Sequence, residues 1–67
     1  LLELSLNGQS LSLPAGSVLA DALEASEFQG EKIAAAINGE FVPRSAYANT
    51  ELKDRDTIDI VKPVGGG

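Results

Sequence analysis

The sequence closes on Gly65, Gly66 and Gly67, behind Lys62-Pro63-Val64. A glycine run builds no regular element and buries no side chain, and glycine loses more conformational entropy on ordering than any other residue. Such a run can, however, thread a channel too narrow for a Cβ atom. It would then present the α-carboxylate at its end, a group ionised at neutral pH. The same run also reads as a frayed end or a linker stub. Other candidates for chemistry are weaker. Asp54, Asp56 and Asp59 in DRDTID have the opening spacing of a calcium loop, but the fifth position is Ile58 and no glycine follows. A solvated turn leading into a strand explains these acids better. Ser17 and Ser45 have no base to activate them, because the chain contains no His. It contains no Cys either, so thiol nucleophiles, disulfides, Cys/His metal sites and imidazole catalysis are all excluded. No glycine-rich phosphate-binding motif is present. The terminal glycines are the one feature that could do chemistry, and that chemistry needs a partner.

The chain must still fold in order to aim such an arm. At 67 residues with 43% hydrophobic content it reads as a single domain, 1–67, near the size where burial becomes marginal. Its net charge is −5. All five acids before residue 32 (Glu3, Asp21, Glu24, Glu27, Glu31) stand without a base, and all five bases follow. This balance argues against nucleic acid, whose phosphates require Lys and Arg. It suits docking to a protein with a basic rim, and it also serves plain solubility. No apolar run approaches the ~20 residues of a membrane span. No basic region precedes a short apolar core as in a signal peptide, so no membrane association is expected and the expected location is cytoplasmic.

The elements can be read from periodicity. LLELSL alternates, with Leu2, Leu4 and Leu6 on one face. Asn7-Gly8 supplies a two-residue type I′ turn, and Leu11 and Leu13 continue the inward set on a return strand closed by Pro14 and Gly16. A helix is expected over 18–27, with Ser17 as N-cap, Leu19, Ala22, Leu23 and Ser26 on its inner side, and Gly30 as the residue ending it. KIAAAIN reads as a strand despite its three helix-favouring alanines, because it is short and the turn signal Asn38-Gly39 follows. EFVP, residues 40–43, reads as a short edge strand stopped by proline. Residues 44–51 read as irregular, with one helical turn from Ser45. TIDIV, residues 57–61, alternates again and is expected to run through Pro63 and Val64 into the glycines. The order β-β-α-β-β-β is α+β, one helix across a mixed sheet. Leu4, Leu23, Ile37 and Ile58 are expected in one core.

This order fits the β-grasp, or ubiquitin-like, arrangement, in which the first and last strands lie side by side at the centre and a flexible tail, 64–67, leaves the sheet. Five or six extended residues would reach about 16–22 Å. Together with Ala36-Ile37-Asn38-Gly39, Val42-Pro43-Arg44 and the terminal Gly66-Gly67, the chain resembles the ThiS family of sulfur carriers for thiazole formation in thiamine biosynthesis. The resemblance spans nearly the whole chain. Arg55 departs from it, standing where the family commonly has glycine; a changed turn with unaltered chemistry is expected.

The resemblance implies a mechanism. A ubiquitin-activating-type enzyme, using ATP and Mg²⁺, would join the Gly67 carboxylate to AMP. A persulfide sulfur supplied by a cysteine desulfurase system would then displace AMP to give a thiocarboxylate, which thiazole synthase would consume. Gly67 is thus the expected attachment point, and Val64, Gly65 and Gly66 are the tail residues both partners recognise. The chain itself would bind no cofactor and catalyse nothing. A molybdopterin-type carrier and a ubiquitin-like modifier or binding module share these features and stay open here. Docking is expected on the sheet face near the tail, with Arg44, Lys53, Arg55 or Lys62 giving orientation.

Overall fold

The computed structural model describes residues 1–26 and 32–62. The opening alternation forms β1 (Leu2–Leu6) and β2 (Gln9–Leu13), with Leu6 paired to Gln9 across the Asn7-Gly8 turn. Asn7 at φ 52° and Gly8 at φ 83° both occupy the left-handed region a type I′ turn requires. A Cβ on Gly8 would meet nothing within 4 Å, so glycine is needed there for its backbone angles and not for space.

The helix α1 spans Leu19–Glu24, shorter than the 18–27 expected, and Ser17 does not cap it. The Ser17 hydroxyl instead donates to the Pro14 carbonyl at 2.7 Å, and extended Val18 takes the capping position. The first helical N–H groups find partners elsewhere: Leu19 donates to the Thr50 carbonyl at 2.8 Å and Ala20 to that of Tyr47 at 3.0 Å. The Asp21 carboxylate accepts from the Val18 N–H at 2.9 Å, placing a negative charge at the positive end of the helix. A tertiary contact thus does the work that the sequence assigned to a serine. Glu27 and Gly30, expected at the helix end, lie outside the described residues.

Two further strands, β3 (Ala34–Ile37) and β4 (Glu40–Val42), meet at a second left-handed Asn-Gly turn, Asn38 at φ 51° and Gly39 at φ 85°. A 3₁₀ turn over Arg44–Ala46 starts one residue before the expected Ser45. The last strand, β5 (Thr57–Val61), matches the alternating run; its expected continuation through Pro63 and Val64 lies outside the described residues. The sheet order is β2-β1-β5-β3-β4, parallel only between β1 and β5. The first and last strands therefore share the centre, as the β-grasp reading requires.

One sheet face packs against α1. Leu4, Leu23 and Ile58 are buried there as expected, with Ile58 fully inaccessible. Ile37 is only half-buried, because it ends β3 beside the turn and faces Glu40 on an edge strand. Leu52, not among the expected core residues, is 3% exposed and joins the core. No helix among the described residues is long and apolar enough to cross a membrane.

Candidate functional site

The strand β5 ends at one end of the sheet and is held on both flanks up to its last residues. Toward β3, the final pair is Ala34 opposite Val61. Toward β1, the Ser5 N–H donates to the Asp56 carbonyl at 3.0 Å and the Asn7 N–H to that of Ile58 at 2.9 Å. Beyond that point β1 has turned away into its hairpin, and the Asn7 carboxamide takes its place. Asn7 Oδ1 accepts from the Ile60 N–H at 2.7 Å, and Asn7 Nδ2 donates to the Ile60 carbonyl at 3.1 Å. The start of β5 is held in a similar way. Asn38 Oδ1 accepts from the Thr57 N–H at 3.0 Å, and Asn38 Nδ2 donates to Asp56 Oδ1 at 3.0 Å. Asp56 Oδ2 in turn accepts from the Lys53 N–H at 2.8 Å. Neither asparagine side chain was singled out from the sequence. The available signal was Asn, rather than Asp or Gly, at the first position of both turns.

Val64, Gly65, Gly66 and Gly67 lie outside the described residues; the structure describes the strand that delivers them. Lys62, the last described residue, is exposed. The sheet face away from α1 is divided. On the β3–β4 side Ala36 stands opposite Phe41 and Asp59, and Ala34 opposite Val61. Phe41 is 70% exposed and Val61 61%, so an apolar patch adjoins the exit of β5. On the β1–β2 side the same face carries Glu3, Ser5, Ser10 and Ser12, with the Ser12 hydroxyl donating to Glu3.

The cations expected near the tail separate into two groups. Val42 pairs with Ala35, which pairs with Ile60, so Arg44 follows β4 at the tail end of the sheet, with Lys62. Lys53 and Arg55 precede β5 and lie at its other end, separated from Lys62 by the length of the strand, about 17 Å from Thr57 to Lys62. Those two cannot flank the exit. Arg55 has φ 70°, in the region that favours glycine, and its contact with Asp54 is long, 4.0 Å, and solvent-exposed.

The remaining candidates have structural roles. Asp54 Oδ1 accepts from the Glu3 N–H at 2.8 Å, Asp56 ties the β3–β4 turn to β5, and Asp59 stands on the open face. Ser17 is committed to Pro14, and Ser45 is exposed in the 3₁₀ turn. No group of His, Cys, Asp and Glu among the described residues could hold a metal ion.

A mixed five-stranded sheet, crossed by one short helix and with the first and last strands central, defines a β-grasp protein. A family model described as the ThiS family matches residues 3–67, and the chain belongs to that family. It superposes on the crystal structure of the thiamine biosynthesis protein ThiS from Geobacter metallireducens with a TM-score of 0.82 and 28% identity, covering 98% of this chain and 100% of that one. It is 32% identical over 66 residues to a thiazole synthase of Paramagnetospirillum magneticum and 33% identical to one of Magnetococcus marinus. The chain spans only 20% of either synthase. An uncharacterized protein, ycf40, of Porphyra purpurea is 29% identical and matches over 93% of its own length.

Proposed function

We propose that this chain carries sulfur on the α-carboxylate of Gly67, as a thiocarboxylate destined for thiazole formation in the cytoplasm. A ubiquitin-activating-type partner binds ATP and Mg²⁺ and transfers AMP to the carboxylate, releasing pyrophosphate. The terminal sulfur of a persulfide, generated by a cysteine desulfurase system, attacks the acyl carbon and AMP leaves. A thiol then cleaves the resulting S–S bond, and thiazole synthase takes the sulfur. Val64, Gly65 and Gly66 form the thin arm that both partners accommodate.

The observation that carries this reading is the placement of β5: a central strand, bonded on both flanks, whose last residues lie at one end of the sheet beside an apolar patch. Ordering an arm costs roughly 1–2 kcal/mol per residue, and docking of a globular face offsets it. Ala34, Ala36, Phe41 and Val61 provide that face, with Arg44 and Lys62 at the same end. The fusion-sized thiazole synthases that match this chain over a fifth of their length support the acceptor.

The test is mass spectrometry of the carrier after incubation with ATP, Mg²⁺, an adenylating partner and a persulfide donor. Conversion of one oxygen to sulfur at Gly67 is expected. Gly66→Val should slow it on the order of a hundredfold with an unchanged melt, since a β-branched side chain stiffens and widens the arm beside the reacting carbon. A carrier extended past Gly67 should not react. Wild-type rates for both variants would overturn the proposal, and a branched lysine adduct in place of the thiocarboxylate would identify a modifier.

A further inference from the structure

The two Asn-Gly turns do more than reverse the chain. In a parallel ladder continued past Leu6 and Ile58, the Ile60 N–H would bond a main-chain carbonyl of β1, and its carbonyl would accept from a β1 N–H two residues further on. The chain has instead turned back at Asn7, and the Asn7 side chain supplies both groups, an acceptor at 2.7 Å and a donor at 3.1 Å. A carboxamide offers donor and acceptor on two separate atoms, so it can bond the N–H and the carbonyl of one residue at once. Aspartate tolerates the same left-handed backbone but cannot donate, and glycine fits the turn but offers neither group. At the opposite end of β5, Asn38 holds Thr57 and Asp56 from the other flank. The two turns are alike in sequence and backbone, and they grip the same strand at opposite ends.

On the reading that the tail is the working part, we infer that Asn7 is a positioning residue for tail delivery. By completing the ladder at Ile60 it fixes where the sheet ends and the arm begins. Without it, the β1 flank of Ile60 has no protein partner, and only β3 holds the last residues of β5. The segment that must be ordered inside a partner then grows by one or two residues. Each residue ordered weakens association by up to roughly tenfold, less where β3 still constrains it. Asn38 acts at the far end, next to Lys53 and Asp56, and has no such effect. The predicted defect is therefore in association: once the arm is seated, the carboxylate occupies the same place and the chemical step is unchanged.

The experiment compares N7G with N38G in the full chain, because both keep a left-handed Gly-Gly turn and both remove one carboxamide. Amide hydrogen exchange should show Ile60 losing protection in N7G alone and Thr57 in N38G alone. With an adenylating partner, ATP and a persulfide donor, at a temperature where both variants are fully folded, N7G should raise the KM for the carrier about three- to tenfold with kcat within about twofold. N38G should leave both within about twofold of wild type, on the scale of a minor perturbation. If N7G melts too low to assay, N7D should show a smaller rise in KM in the same direction. Wild-type protein that forms thiocarboxylate while N7G, or N7D in its place, shows an unchanged KM overturns this inference alone, as does an equal rise in N38G. Wild-type protein that forms none overturns this inference together with the proposed function.

Discussion

The two hairpins of this protein use one plan on their inner side and two on their outer side. Both β1–β2 and β3–β4 turn through Asn-Gly, and both place apolar residues on the face covered by α1. On the open face the first hairpin carries Glu3, Ser5, Ser10 and Ser12, a wholly polar set. The second carries Ala34, Ala36 and Phe41, with Val61 of β5 alongside. Folding needs one buried face per strand and is indifferent to the other. The outer half that departs from the polar pattern lies beside the exit of β5. On the proposed function, the difference separates residues that hold the fold from the surface offered to a partner.

The comparison can be broken most directly from beneath. Ile58→Ala removes a side chain of zero exposure from under the centre of the sheet, and Leu23→Ala removes its helical counterpart. Each should cost about 2–5 kcal/mol in denaturant melts, a large share of the roughly 3–10 kcal/mol expected for a chain this size. The fraction that stays folded should still bind the adenylating partner with wild-type affinity; a matching loss of affinity would mean that the inner and outer faces are not separable.

Phe41→Ser inverts that test. Its stability cost should be limited to the cross-strand contact with Ala36, about 0.2–1 kcal/mol. Partner affinity, read by titration calorimetry, should fall about tenfold, as for an aromatic anchor in a docking patch. Ser12→Ala, its counterpart on the polar half, should alter neither measurement by more than about 0.5 kcal/mol. Equal losses of affinity from both halves would erase the distinction.

The smallest effect lies at the end of β5 away from the tail. Arg55 occupies φ 70° without a side-chain partner that explains it. Arg55→Gly should raise stability by about 0.5–1 kcal/mol, the relief of a left-handed non-glycine residue less the added freedom of the unfolded chain. Arg55→Ala should gain nothing. Neither should affect partner binding, because the exit of β5 is some seven residues away.

Much of this was legible in the sequence, for local reasons. Period-two alternation around Asn7-Gly8 specified the first hairpin, short runs on either side of Asn38-Gly39 specified the strands of the second, and the alternation of 57–61 specified β5, because strand period and turn angles are properties of a few adjacent residues. The helix was found but its cap was misassigned: a serine before an apolar run reads as an N-cap, whereas here the carbonyls of Tyr47 and Thr50 saturate the helix start, a contact spanning nearly thirty residues. Leu52 went unnoticed for the same reason, since its burial depends on where the 44–51 segment comes to rest. At the candidate site the sequence pointed to the terminal glycines and to a docking face near them. It could not sort the cations by end of the sheet, because Arg44 and Lys62 come to the same end only through the pairing of Val42, Ala35 and Ile60. It was also silent on the side chains of Asn7 and Asn38, whose partners lie 53 and 19 residues away.

The central position of β5 also orders events in time. The β1–β2 and β3–β4 hairpins are each local and can close within microseconds. Until β5 arrives, β1 and β3 each present an unpaired inner edge, and the β1–β5 contact joins residues more than fifty positions apart. During synthesis the sheet stays in two halves while Thr57–Val61 is still within the ribosome, and its closure waits for the strand that carries the tail. On the proposed function, a partner that needs both the end of β5 and the open face can engage only a sheet that has already closed, so completed folding is tested without any separate proofreading step.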